Sequence, residues 1–206
     1  MPNLAPDWKF LLATLSKIEG LIDDVVTDTP PRRKIINELA LVRVAIALEN
    51  FLSRASYKIV AGAALLDGTV PVLTHRTATI SAAETHLKTR GGTLPRDRPI
   101  PWLDAAELID ILKLALAPND PCLAAIRAGG VPLAQIRKVR NHVAHSNRTS
   151  RTAFQQVVRQ VYGSTLNAIT PGTLLVTSRN GPRPLGKTLV ISARVLGQNY
   201  CKGIVT

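Results

Sequence analysis

Apolar positions recur at three- and four-residue spacing through most of the chain, the signature of helices that each bury one face. A first helix is predicted over residues 7–26, ending before the Thr29-Pro30-Pro31 breaker. A long second helix follows over 33–66. Its apolar residues Ile35, Ile36, Leu39, Val42, Ile46, Leu48, Phe51 and Leu52 lie nearly all round, as expected for the buried centre of a bundle. Residues 68–101 change character, with one short helix predicted at 80–88 and then a Gly/Pro-rich basic loop carrying Arg90, Arg96 and Arg98. The helical pattern resumes over 102–116 and stops at Pro118-Asn119-Asp120-Pro121. Asp120 followed by Pro121 is a helix start, a capping carboxylate ahead of a proline at the first helical position. That short helix ends at Gly129-Gly130. Another begins near Pro132, with Leu133, Ile136, Val139 and Val143 on one side, and a last helix is predicted over 151–168.

Beyond Pro171-Gly172 the pattern shortens to β-branched runs. Residues 173–177 and 188–195 read as strands joined by a loop that contains Asn180-Gly181. A lone hairpin is marginally stable in water, so this one is expected to rest on the helices. The expected organisation is mainly α: an up-and-down helical bundle over residues 1–170 with an insertion at about 67–101, and a small C-terminal β-hairpin extension over 171–206.

Length and composition narrow the class. A chain of 206 residues suffices for one ordinary domain with an appendage. At that size about 70% of the unfolded surface is buried on folding, so no disulfide or metal staple is required. Cys122 and Cys201 stand far apart without metal-ligand spacing, which argues against a disulfide framework or zinc site and suits a reducing cytoplasm. The first ten residues are polar and do not resemble a signal peptide. The longest apolar stretch, 39–48, is interrupted by Arg43 and is shorter than the ~18 residues that suggest a membrane span. A soluble cytoplasmic protein, with no membrane partner, is expected.

Charge adds the first functional hint. Lys and Arg outnumber Asp and Glu by 26 to 14, a net charge of +12. Such an excess attracts polyanions at long range. Arginine supplies most of it, and its planar fork suits phosphate oxygens.

The densest chemistry lies at Gln135-Ile136-Arg137-Lys138-Val139-Arg140-Asn141-His142-Val143-Ala144-His145-Ser146-Asn147. At about 100° per residue, Arg137, Asn141 and His145 fall along one stripe with Ala144 beside it. His142 is expected to point away towards solvent. Arg140 turns partly to the apolar side and therefore needs an anion or an acceptor, for which Glu49 on the second helix is a candidate. Histidine titrates near pH ~6.5 and serves as base or acid at neutral pH, while arginine stays charged and grips phosphate. Together they suit RNA cleavage without a metal: a base for the ribose 2′-OH, an acid for the leaving oxygen, and cations for the phosphorane. His75 and His86 carry no partner pattern and are assigned no role.

The string Arg140-Asn141-x-x-Ala144-His145 resembles the R-x(4–6)-H motif of HEPN ribonucleases, and Arg137 with His142 satisfies the same spacing. The segment Leu41-Val42-Arg43-Val44-Ala45-Ile46-Ala47-Leu48-Glu49-Asn50-Phe51-Leu52 is similar to the second helix of the HEPN branch found with toxin and phage-defence genes. The likeness covers about residues 5–170 and is absent from the basic loop and the tail. It implies a HEPN-like bundle in which two motifs face each other across a homodimer. It further implies a metal-independent endoribonuclease, a toxin or phage-defence effector, leaving 2′,3′-cyclic phosphate and 5′-hydroxyl ends. Arg140, His145 and Asn141 would be catalytic, with Glu49, Arg137 and His142 supporting them, and Arg90, Arg96 and Arg98 guiding RNA. No cofactor and no metal are expected. The partners would be RNA, a second copy and an antitoxin or other defence protein. The rival expectations are a non-catalytic HEPN module that binds RNA, nucleotide or a partner protein, and a basic DNA-binding regulator, for which no helix-turn-helix signature is visible.

Overall fold

The computed structural model describes residues 2–93, 99–179 and 181–202. Among them are nine helices: α1 (Ala5–Asp24), α2 (Pro30–Val60), α3 (Ile80–Lys88), α4 (Ala105–Leu112), α5 (Pro121–Ala128), α6 (Gly130–His145), α7 (Arg148–Tyr162), α8 (Pro171–Leu175) and α9 (Leu185–Lys202). Local chemistry sets many of the starts. Thr79, Asp104, Asp120, Asn147 and Thr170 each cap the helix that follows, their side-chain oxygens accepting a backbone N–H of the first turn. Prolines stand at the first or second position of α1, α2, α5 and α8.

The bundle is arranged around α2, which packs against α1, α3, α6, α8 and α9. One apolar cluster runs from Leu4 and Trp8 through Leu48, Phe51 and Leu52 to Val139, Phe154, Leu196 and Tyr200. The segment between α2 and α3 is pinned by Asp120, a fully buried carboxylate that accepts from Val72 N at 2.8 Å and from Cys122 N at 2.9 Å. Beside it Leu73 and Leu116 form an isolated antiparallel bridge. The described residues of 67–93 are thus stitched to the bundle by backbone pairing and by α3 on α2.

The described C-terminal residues form two helices, α8 and α9, which corrects the expected β-hairpin. No strand occurs among the described residues, and 173–177 and 188–195 fall in or beside α8 and α9. The reason is visible over a longer window. Leu189, Val190, Ala193, Leu196, Gly197, Tyr200 and Cys201 are all buried and recur at helical spacing, although the short run 188–191 taken alone is mostly β-branched. Burial against α1 and α2 then decides between helix and strand. Gly197 lets the axes approach: a Cβ there would meet Leu11 Cδ2 at 2.7 Å and Trp8 Cζ3 at 2.9 Å. Ion pairs frame the contact, Arg194 with Glu19 at 2.6 Å and Lys187 with Asp23 at 2.7 Å.

A second correction concerns α2. It is not buried all round, because Ile35, Leu39 and Ile46 are 57%, 55% and 47% exposed. With the half-buried Val42 they form a stripe that is left open by the helices among the described residues. The remaining boundaries shift by a few residues; α2 ends at Val60, where Gly62 at φ 93° turns the chain. None of the helices among the described residues is long and apolar enough to cross a membrane.

Candidate functional site

The motif occupies the last two turns of α6. Leu133, Ile136 and Val139 anchor this helix in the core, which leaves Arg140, Asn141 and His145 on its flank and outer side. Ser146 ends the helix in the left-handed conformation, φ 37°, its N–H bonded to the His142 carbonyl at 3.1 Å. Asn147 then caps α7, its Oδ1 accepting from Ser150 N at 2.8 Å. This two-residue corner places His145 in solvent at the junction of α6 and α7.

Arg140 is held on both sides. Its Nη2 meets Glu49 Oε2 at 3.4 Å, the acceptor expected for it, and its Nη1 donates to Asn141 Oδ1 at 3.0 Å. Burial lifts the Glu49 carboxyl above its ordinary value, and the Arg140 charge opposes that rise. Because Asn141 accepts through its oxygen, its amide nitrogen remains a donor without a partner among the described residues. His145 likewise has an exposed imidazole with no partner among them. Asn141 and His145 are four residues apart, about 6 Å along the axis on the same side of the helix. Arg148 and Arg151 are exposed in the first turn of α7 and add positive charge next to His145.

Other expected residues are placed differently. Arg137 is engaged by Asp104, the carboxylate that also caps α4, so it fastens α6 to α4. Arg90 pairs with Glu107 at 3.0 Å with its side chain only 13% exposed, joining the end of α3 to α4. Arg96 and Arg98 lie outside the described residues. His142 does not point freely to solvent. Its ring stacks on the buried Phe154 at 4.8 Å between centroids, inclined 23°, and its Nδ1 lies 3.3 Å from Ser150 Oγ. Burial holds its pKa below the ordinary imidazole value, and Arg151 adds to the effect. The helical wheel put His142 opposite the core of its own helix; it carried no information about α7 folding back across that side.

Sequence reasoning missed two features. His75 and His86 stack at 4.1 Å with a 15° tilt, brought together by the fold from either side of α3's N-terminus. A cavity of about 300 Å³ opens beside His142, walled by α7 and the 167–171 segment. Neither had a signal in local spacing. Among the described residues no group of three or more His, Cys, Asp or Glu side chains stands ready to hold a metal ion. No family model matches the chain, and no curated protein or solved structure is similar to it at a significant level.

Proposed function

We propose that this protein is a metal-independent endoribonuclease of the HEPN type, acting as a homodimer with a composite site. The observation that carries the reading is the end of α6, where an exposed His145, without a partner among the described residues, stands one turn from an Arg140–Asn141 pair that Glu49 holds in place. In the reaction a base removes the 2′-OH proton, O2′ bonds to phosphorus, the P–O5′ bond breaks and an acid protonates the departing O5′. The products are a 2′,3′-cyclic phosphate and a 5′-hydroxyl. Two copies supply two imidazoles, one for each proton transfer. Arg140 and the free amide nitrogen of Asn141 meet the charge on the phosphorane.

The exposed stripe on α2 supports dimerisation. Ile35, Leu39, Val42 and Ile46 fall within about 60° of one another, and the next position on that line is Glu49. An apolar face that runs into the Arg140 contact would bring a second motif to the first. The +12 charge suits RNA as the substrate. An effector role in a toxin or phage-defence system, with a neutralising partner, follows from the resemblance alone.

One observation favours a second reading. Arg140 is already paired with Glu49, as a binding module without turnover would keep it. Incubating wild type and His145→Ala with total RNA in EDTA, with product ends mapped, separates the two. Cleavage to cyclic-phosphate ends by wild type only is the expected result; equal cleavage by His145→Ala would remove the site assignment. RNA binding without cleavage by either protein would establish the binding module.

A further inference from the structure

The cavity beside His142 has a chemistry of its own. Its volume, about 300 Å³, lies at the lower end of the range of small-ligand pockets, too small for a duplex and sufficient for one nucleotide unit. One wall is aromatic, the His142 ring stacked on Phe154. Two carboxamides line it, Gln155 from α7 and Asn167 from the segment leading to α8, and Arg151 stands at its edge as an exposed cation. Gln155 donates through Nε2 to the Leu166 carbonyl at 3.3 Å, and its buried Oε1 has no donor among the described residues. His142 precedes His145 by three residues, about 4.5 Å along α6 and on adjoining sides.

We propose that this cavity is a base-binding pocket that takes a single unstacked RNA base next to the scissile phosphate. Sequence-specific recognition of single-stranded RNA splays a base out, stacks it on a ring or guanidinium plane and bonds its edge. Each of those elements lines the cavity: the His142–Phe154 stack, the Asn167 carboxamide for a donor–acceptor edge, and Arg151 for the adjoining phosphate. The exposed carboxamide of Asn167 offers a base edge one acceptor and two N–H donors. The separation from His145 is within the span of one nucleotide, so a base seated here sets which phosphate meets the imidazole. The placement next to His145 rests on the ribonuclease reading; the pocket itself does not.

The test titrates the four ribonucleoside 3′-monophosphates and ribose 5-phosphate into wild type, Asn167→Ala and His145→Ala by calorimetry. Asn167 is exposed on a connecting segment, so its truncation leaves the fold intact, as circular dichroism will verify. At least one nucleotide should bind wild type, bind His145→Ala within twofold as tightly, and bind Asn167→Ala at least tenfold more weakly. The same substitution should broaden the base preference at the cleavage position. Equal binding of ribose 5-phosphate would overturn the pocket in favour of a phosphate site only. No saturation by any of the four, with RNA still cleaved in EDTA, would overturn it and leave the ribonuclease reading standing. Base-dependent binding lost in Asn167→Ala, with no RNA cleavage, would uphold the pocket and sink the ribonuclease.

Discussion

The docking of α9 on α2 depends on a buried hydroxyl pair whose energetics can be worked from the geometry. Ser56 and Tyr200 are both fully buried, with Ser56 Oγ 2.7 Å from Tyr200 Oη. A serine hydroxyl has one hydrogen, and Ser56 gives it to the Leu52 carbonyl at 2.6 Å. Tyr200 is therefore the donor and Ser56 the acceptor. Tyr200→Phe removes the donor and leaves Ser56 bonded to Leu52, so the loss is one net hydrogen bond, about 0.5–1.5 kcal/mol. Ser56→Ala instead strands a buried phenol hydrogen beside the edge-on ring of Phe51, a cost of about 1–3 kcal/mol. Removing both partners strands nothing. The double variant should thus lose less than the two single losses added, with a coupling of about 1 kcal/mol. In a chain of this size each 1 kcal/mol moves Tm by about 2–4 °C. Urea unfolding of the four proteins, followed by circular dichroism, reads the cycle. Additive losses, or a Tyr200→Phe variant weaker than Ser56→Ala, would refute the donor assignment and the seating of Tyr200 on α2.

Two glycines make a contrasting pair. Gly20 in α1 has nothing within 4 Å of an added Cβ, so Gly20→Ala should stabilise by about 0.5–1 kcal/mol in thermal melts. Gly197→Ala, which presses on Leu11 and Trp8, should instead cost about 1–3 kcal/mol through overpacking. His142 makes stability fall in acid. Its folded pKa is depressed, so its contribution is complete above the unfolded value near 6.5 and is lost as pH falls from there towards the lower folded value. His142→Phe keeps a ring against Phe154, and its unfolding free energy should drop less than that of wild type between pH 7.5 and 5.0; equal drops would discount the burial of this ring. Burial pushes the Cys201 thiol up to about 12 and Cys122 well up, so neither should react with iodoacetamide at pH 8 until urea unfolds the chain. Labelling of the native protein would contradict the closed packing around Tyr200.

What the sequence determined by itself is local. Asp120 as a cap, Pro121 as a first helical residue and the Gly129-Gly130 break mark α5 because these residues satisfy or deny specific backbone bonds within a turn. The stripe of Arg137, Asn141 and His145 was legible because it follows from helical angle, and the cost of an unpaired guanidinium left Arg140 in need of an anion or an acceptor, with Glu49 one candidate. Tertiary structure decided the rest. Residues 188–195 have β-branched side chains that fit either a strand or a helix. The buried face of α9, which meets Trp8, Leu11 and Phe51 at Gly197 and Tyr200, selects the helix, since only a 3.6-residue period brings Leu189, Ala193, Leu196 and Tyr200 inward together. Arg90 and Arg137 read as free cations until α4 brought Glu107 and Asp104 to them. His142 read as solvated until α7 folded over it and made its ring one wall of a cavity. Periodicity reports which side of an element is apolar, whereas the identity of its neighbour depends on how distant segments share one core.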